Sequence, residues 1–280
     1  MPERMISHVI SDYAIHSDFL IHWTGKDIDC EHDRDWYSRK DEARIGEEAE
    51  NKYLRRLRDI LTFGLWMTEE AQCTLGDVVI PATPKCCFTE LKTSESRKHA
   101  SQYGRLGIGV KRPFLFRRYG RPLAYCGFHE KRCDDKFLKA CADDFKDKNM
   151  LNFFKTMNSS SEFTYDVYGE SEWRLLFFDE LLREGRIIDP RDKTHKREHK
   201  YFLSLTHDQQ QKLKYLIPLD GWFSMIIYPS SNVRIRAQQN SVLAIGDAIR
   251  RIKSDPSDHG NRVVGGDWPI EVTVSDCRHF

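Results

Sequence analysis

The chain has 280 residues, 40% of them hydrophobic, and its 44 basic and 43 acidic side chains leave a formal net charge of +1. This composition supports a packed core and argues against disorder over most of the length. A near-neutral charge excludes a global field for nucleic acid or membrane, so a charged partner must meet a local patch.

Targeting, redox and metal signals are weak in this sequence. Residues 1–16 interleave charged and apolar side chains and lack the apolar core of a signal peptide. No later segment approaches the roughly 20 apolar residues that a membrane span needs. The eight cysteines are scattered, and the spacing of Cys126, Cys133 and Cys141 does not match a zinc knuckle. We therefore expect a cytoplasmic protein with reduced thiols and no bound metal.

The first informative run predicts a buried strand from Phe19 to Trp23, ended by Thr24 and Gly25. His22 lies inside it. An isolated histidine in an apolar run is commonly a core residue bonded to a backbone carbonyl, and that alternative stays open here.

A charged segment, 26–44, is typical of a surface loop that could cover a site. After it, apolar side chains recur at helical spacing from Ile45 to Leu61, and Gly64 supplies a stop signal. We predict an amphipathic helix here.

The stretch from Cys86 to Cys126 concentrates the structural signals. CCFTEL predicts a strand, SESRKHASQYG a helix capped by Ser94 and stopped by Gly104, and LGIGVKR another strand. Glycine inside a strand commonly marks close approach of a ligand or a backbone. The sequence therefore places a candidate site on this stretch.

The second half begins with an insertion. Residues 134–157 carry apolar side chains in helical phase and predict two helices or one kinked helix. A buried strand is expected from Trp173 to Phe178, directly after the glutamates Glu170 and Glu172.

Residues 183–200 form the most basic window, which is commonly a solvated loop. YFLSL at 201–205, FSMIIYP at 223–229 and the tail after residue 266 predict strands. NSVLAIGDAIRRIK predicts a helix capped by Asn240. With no internal repeat or low-complexity linker, we predict a single α+β domain over residues 1–280, with a helical insertion at 134–157.

Several motifs resemble known families. IHWTG at 21–25 with LRRLRDILTFGLW at 54–66 resembles the opening of ADP-ribosyltransferase-like folds, and CFTEL, QYG and GESEWRLL resemble their later elements. Residues 11–126 also resemble the AbiGi-type abortive phage-infection proteins through F-T-E, YG-x-x-GIGV and P-L-A-Y, together with the later EWR. These resemblances imply a split β core, NAD as substrate, and a role in anti-phage defence.

The resemblance assigns roles to individual residues. Breaking the nicotinamide–ribose bond builds positive charge on the ribose, which a carboxylate stabilises; Glu172 is our candidate, with Glu170 positioning the acceptor. His22 would hold a ribose hydroxyl and Tyr103 would stack on nicotinamide. The remaining expected NAD-binding residues are Trp23, Thr24, Gly25, Phe88 and Thr89. Lys193, Lys196, Arg197 and Lys200 would bind a nucleic-acid acceptor through its phosphates.

Other interpretations remain open. Each of these residues has a structural role available: Tyr103 as a helix-end anchor, Glu172 as a partner of Arg174 or Arg97, and Glu90 as a helix cap. A non-catalytic antitoxin or regulator that binds protein or DNA is the main alternative function, and the sequence lacks the helix-turn-helix signal that the DNA form would need. A metal-dependent nuclease, with GDAIRRIK and TELK as weak signals, is the third.

Overall fold

The computed structural model describes residues 19–29, 45–75, 77–90, 96–127, 136–157, 171–239, 243–254 and 268–279. The strands are β1 Phe19–Thr24, β2 Leu65–Glu69, β3 Cys73–Leu75, β4 Val78–Ile80, β5 Pro84–Thr89, β6 Leu106–Lys111, β7 Arg121–Pro122, β8 Ala124–Gly127, β9 Phe154–Met157, β10 Glu172–Leu176, β11 Leu213–Ile217, β12 Phe223–Tyr228 and β13 Ile270–Thr273. The α-helices are α1 Lys26–Asp29, α2 Glu47–Phe63, α3 Ser96–Tyr103, α4 Arg112–Phe116, α5 Lys136–Asp144, α6 Asp179–Arg183, α7 Lys196–Ser204, α8 His207–Lys212, α9 Ser231–Gln239 and α10 Ile245–Ser254. Short 3₁₀ helices lie at Lys148–Phe153 and Asp276–His279.

One mixed sheet organises the molecule, in the order β11-β2-β5-β1-β6-β12-β13, with β10 beside β5 and β7 beside β10. Its described pairs are antiparallel apart from β12 and β13, which run parallel. Helices and strands alternate irregularly along the chain, as in the α+β class. That part of the sequence prediction is confirmed.

Strand β5 is where this sheet divides. Thr89 pairs with both Ile21 of β1 and Glu172 of β10, while Lys85 pairs with Thr68 of β2 as well as with β10. Because a strand has two edges and β10 follows one of them, β1 and β2 share the other. The two strands meet β5 at its opposite ends and leave a gap between them.

Apolar layers cover both faces of the sheet. One face packs against α2, α9 and α10, where Leu57, Val233 and Ile249 join the strand residues of the largest core cluster. The opposite face carries a smaller cluster that includes Ile21 and Ile227. The apolar period of α2 follows the predicted pattern. The helix ends at Phe63, and the next residue, Gly64, has a φ of +108°.

The insertion differs from its prediction at one end. α5 and the 3₁₀ helix that follows it are helical as expected, but Phe154–Met157 forms β9, which pairs in parallel with β8. Helical structure does not continue past Phe153 because Phe153 and Phe154 are both buried, in two different apolar clusters. An extended backbone sends consecutive side chains to opposite sides.

Residues 201–205 were expected to form a strand, and this prediction is wrong. Residues 201–204 belong to α7, in which Tyr201 stacks on Phe63 of α2 with ring centroids 4.1 Å apart, and Leu205 follows the helix end. A five-residue apolar run does not by itself separate a helix from a strand. The caps expected from Ser94 and Asn240 lie outside the described residues.

The predicted surface loop at 26–44 begins with the short helix α1, and its remainder from residue 30 lies outside the described residues. None of the helices in the described part of the chain is long and apolar enough to cross a membrane.

Candidate functional site

A cavity of about 570 Å³ occupies the gap where β1 and β2 separate along β5. Its walls come from β1, α1, α2, β2, β5, α3, β9, β10 and α8. The volume is in the range of pockets that bind small molecules and cofactors. Elements distant in sequence therefore converge on one concave surface.

Most of the residues predicted from the sequence meet in this cavity. Its lining includes His22, Trp23, Thr24, Gly25, Phe88, Thr89, Tyr103 and Glu172. The predicted acceptor residues of the basic window do not line it, and Glu170 lies outside the described residues. The residues predicted at 22–25, at 88–103 and at 172 therefore lie close together in the folded chain.

The His22 side chain joins β1 to β5 beside the gap. Its Nδ1 lies 2.9 Å from the Cys87 carbonyl oxygen and 3.4 Å from Cys86 Sγ. Burial lowers the pKa of His22. Since a carbonyl oxygen only accepts, Nδ1 carries the proton of the neutral ring. The core role left open for this histidine is present, and its ring also faces the cavity.

The end of β1 is fixed from both sides. Tyr53 donates its hydroxyl to the Gly25 carbonyl oxygen at 3.3 Å. A Cβ added to Gly25, whose φ is +103°, would stand 2.3 Å from the Tyr53 ring. Arg56 donates to Thr24 Oγ1 at 3.0 Å and pairs with Asp27 at 2.8 Å. The Thr-Gly turn is therefore a rigid rim of the cavity.

An aromatic row lies along the α3 side. The rings of Trp23 and His99 are 6.2 Å apart, and those of His99 and Tyr103 are 4.6 Å apart. His99 Nε2 is 3.1 Å from Thr89 Oγ1. Burial lowers the pKa of His99 to about 3, so the ring is neutral at physiological pH. Tyr103 is 38% exposed, at the open end of this row.

Glu172 is buried and doubly paired. Lys155 Nζ lies 2.7 Å from one carboxylate oxygen and Arg174 Nε lies 2.7 Å from the other. Burial by itself favours the neutral acid, but these two cations outweigh it and lower the pKa of Glu172 to about 2. The Glu172 amide also donates to the Tyr125 hydroxyl at 3.0 Å. The expected pairing with Arg174 is present, at a buried position rather than on the surface.

Glu90, for which a helix cap was the structural alternative, has side-chain partners in the described residues. Its carboxylate accepts from Trp173 Nε1 at 2.7 Å and pairs with Arg112. It therefore links β10 to the start of α4, next to the cavity but outside its lining.

Sequence reasoning missed much of the cavity's charge. Among the described residues, six Lys or Arg side chains and three carboxylates line it, an excess of three positive charges. Lys155, His99 and Arg56 were not predicted. For His99 a local signal exists, because it lies four residues before Tyr103 on the same helix face. Lys155 and Arg56 have no such signal, since only the tertiary fold brings them to the cavity.

The basic window lies on the outside of the same region. Lys193, Lys196, Arg197 and Lys200 are all exposed, and Arg197 lies over the Phe63 ring and donates to the Thr62 carbonyl. The window leads through α7 into α8, whose Lys212 lines the cavity.

Metal ligands do not assemble in the described part of the chain, where no group of three or more His, Cys, Asp or Glu side chains could hold an ion. Cys126 and Cys141 belong there to an apolar cluster with Leu138. Comparison with protein-family models, with curated proteins and with solved structures found no match to this chain. The family resemblance read from its motifs stays a prediction.

Proposed function

We propose that the cavity binds NAD and that the protein is an ADP-ribosyltransferase of anti-phage defence, acting on a nucleic acid or protein acceptor. One observation carries this proposal. The residues expected to hold NAD come from two regions that are distant in sequence, 22–25 and 88–103, and all of them line one cavity together with Glu172, which lies far from both along the chain.

The physical character of the cavity supports a dinucleotide. Trp23, Phe88 and Tyr103 offer aromatic surface for flat rings. The excess of positive charge suits a pyrophosphate. The division of the sheet along β5 is also what a split β core requires, which favours an ADP-ribosyltransferase-like fold.

The proposed reaction breaks the bond between the nicotinamide nitrogen and the ribose. The bonding electron pair leaves with nicotinamide, and positive charge builds on the ribose until the acceptor adds to the anomeric carbon and releases a proton. Glu172 is ionised at physiological pH because its pKa is held near 2. A fixed carboxylate there stabilises the transition state more than the neutral substrate.

The acceptor would approach over the surface of α7. Exposed Lys193, Lys196 and Lys200 give affinity for phosphates without reading sequence, and α8 continues from this surface to the cavity wall. This arrangement favours nucleic acid over protein as the acceptor.

The test measures transfer of label from NAD to RNA, DNA and lysate protein. Glu172→Gln keeps the size of the side chain and removes its charge, so we expect roughly a hundredfold loss of transfer, about 3 kcal/mol of transition-state stabilisation, with little change in NAD affinity. Asp220→Asn is the matched control. Asp220 does not line the cavity, and its carboxylate lies 2.9 Å from Nη1 of buried Arg118, with which it forms an ion pair. A folded Glu172→Gln protein that transfers at the wild-type rate would refute the catalytic role.

One observation favours the alternative, a non-catalytic regulatory component of a defence system. Both oxygens of Glu172 are engaged, by Lys155 and Arg174, in the manner of a structural ion pair. If the wild-type protein binds NAD but transfers label to no acceptor, this regulatory function replaces the enzymatic one.

A further inference from the structure

The β5–β10 wall of the cavity has a regular arrangement of side chains. Cross-strand pairing sets Cys87 opposite Arg174 and Thr89 opposite Glu172, and Lys85 lies two residues before Cys87 on the same face. All five side chains line the cavity. The wall is therefore a flat polar surface within an otherwise largely apolar sheet.

Positive charge exceeds negative charge on this wall. Lys155 reaches it from β9, and Lys155 and Arg174 share the single carboxylate of Glu172. Lys85, only 9% exposed, pairs with Glu70 at 2.5 Å. Burial and nearby Glu172 raise the pKa of the Cys87 thiol to about 12, so it stays neutral and cancels none of the charge. Among the described residues of this wall, three cations thus face two carboxylates.

Donor capacity remains on Lys85 and Arg174. A lysine ammonium has three N–H donors and a guanidinium has five. Arg174 uses Nε for Glu172 and Nη1 for the Asn152 carbonyl oxygen at 2.6 Å, and its Nη2 carries two further N–H groups. A buried excess of positive charge costs free energy, which an anion bound between these donors offsets.

We propose that Lys85, Lys155 and Arg174 form a subsite for a phosphate group. The phosphate belongs either to the pyrophosphate of NAD or to a phosphate ester at the end of a nucleic-acid acceptor. Only this choice of source rests on the proposed function. The subsite itself follows from the charge and donors of the wall.

The experiment titrates inorganic phosphate and inorganic pyrophosphate into the full chain by calorimetry, at constant ionic strength and without NAD. The wild type is expected to bind, and Lys155→Gln and Lys85→Gln each to weaken binding by roughly tenfold, the scale of one charge-assisted hydrogen bond. Lys155→Arg keeps the charge and is expected to retain binding. Lys214→Gln is the matched control, because Lys214 pairs with Glu69 on neighbouring strands outside the cavity.

Competition identifies the source. Displacement of phosphate by ADP-ribose assigns the subsite to NAD, whereas displacement only by a 5′-phosphorylated oligonucleotide, and not by its 5′-hydroxyl form, assigns it to the acceptor. A wild-type chain that binds neither anion overturns the proposal, as does equal weakening in Lys214→Gln. Because the experiment measures anion binding and no turnover, it tests the phosphate subsite even if the protein proves not to be a transferase.

Discussion

Glu172 and His99 line the same cavity, and burial favours the neutral form of each side chain. Beside Glu172, two adjacent cations outweigh burial and keep the carboxylate charged. At His99 burial is the largest effect, and the imidazole stays neutral. The same cavity therefore holds an ionised carboxylate beside an uncharged imidazole. That contrast makes stability depend on pH in two separable ranges.

We expect the free energy of unfolding to fall as pH is lowered, first below about 6.5 and more steeply below about 4.5. Unfolded His99 takes up a proton near its ordinary pKa of 6.5, whereas the native ring resists until about 3. Glu172 contributes stability above 4.5 that is lost as pH falls through its native pKa of about 2, on the order of 3 kcal/mol in total.

Urea denaturation at pH 7, 5.5 and 4 measures this dependence. His99→Gln is expected to flatten the loss between pH 6.5 and 4.5, while His207→Gln, at an exposed position on α8, keeps the wild-type curve. Burial also lowers the pKa of His22, so some slope remains in His99→Gln. An unchanged slope in His99→Gln would contradict the assignment.

At this scale the sequence located side chains with local signals. His22 ends a strand with a Thr-Gly turn, and Glu172 enters one, so both could be chosen without the fold. Lys155 could not, because it lies at the end of the insertion, in β9, and only the tertiary fold brings it to Glu172. The ion pairs that set the charge of Glu172 are thus partly a property of tertiary structure.

At the scale of elements, the turn after α3 places β1 against the helix. Gly104 has φ of +112°, and its amide donates to the Ala100 carbonyl oxygen at 2.8 Å. A Cβ added there would stand 2.3 Å from the Thr24 carbonyl oxygen. The glycine predicted as a helix stop is therefore also the point where α3 meets the rim of the cavity.

Gly104→Ala is expected to lower the free energy of unfolding by about 2 kcal/mol or more, because strain at positive φ adds to a clash with backbone. Gly185→Ala is the matched control: its φ is +67° and a Cβ there meets nothing within 4 Å. We expect about 1 kcal/mol from Gly185→Ala. Chemical denaturation compares the two, and equal losses would show that the contact with Thr24 adds nothing.

Most elements with a clear period were predicted, and pairing between distant elements was not. The strand at β5 and the helices α2 and α3 follow local patterns. That β1 and β2 share one edge of β5 is a long-range arrangement, which no local period encodes. The wrong strand prediction at 201–205 has the same cause. The apolar run there fits either a helix or a strand, and in the fold it is a helix whose Tyr201 stacks on distant Phe63.

At the scale of the whole molecule, a formal net charge of +1 conceals an uneven distribution. The described residues that line the cavity carry an excess of three positive charges. An anionic ligand is thus attracted to one place on a nearly neutral protein. Binding there would join β1, β5, β10 and α8, which lie on different sides of the gap.

NAD is therefore expected to stabilise the folded chain as a unit. At 100 times its Kd, a ligand that binds only the native state adds about 2.7 kcal/mol, which raises Tm by roughly 5 °C in a protein of this size. Tyr103→Ala, which removes the aromatic ring at the open end of the cavity, is expected to lose most of this shift. Phe116→Ala is the control, since that ring is 57% exposed and lies outside the cavity. Thermal scans with NAD, ADP-ribose and nicotinamide separate the two halves of the ligand: a shift with ADP-ribose that Tyr103→Ala leaves intact would place the nicotinamide end at Tyr103. Absence of any shift at millimolar NAD in the wild type, with Phe116→Ala behaving alike, would contradict binding in this cavity.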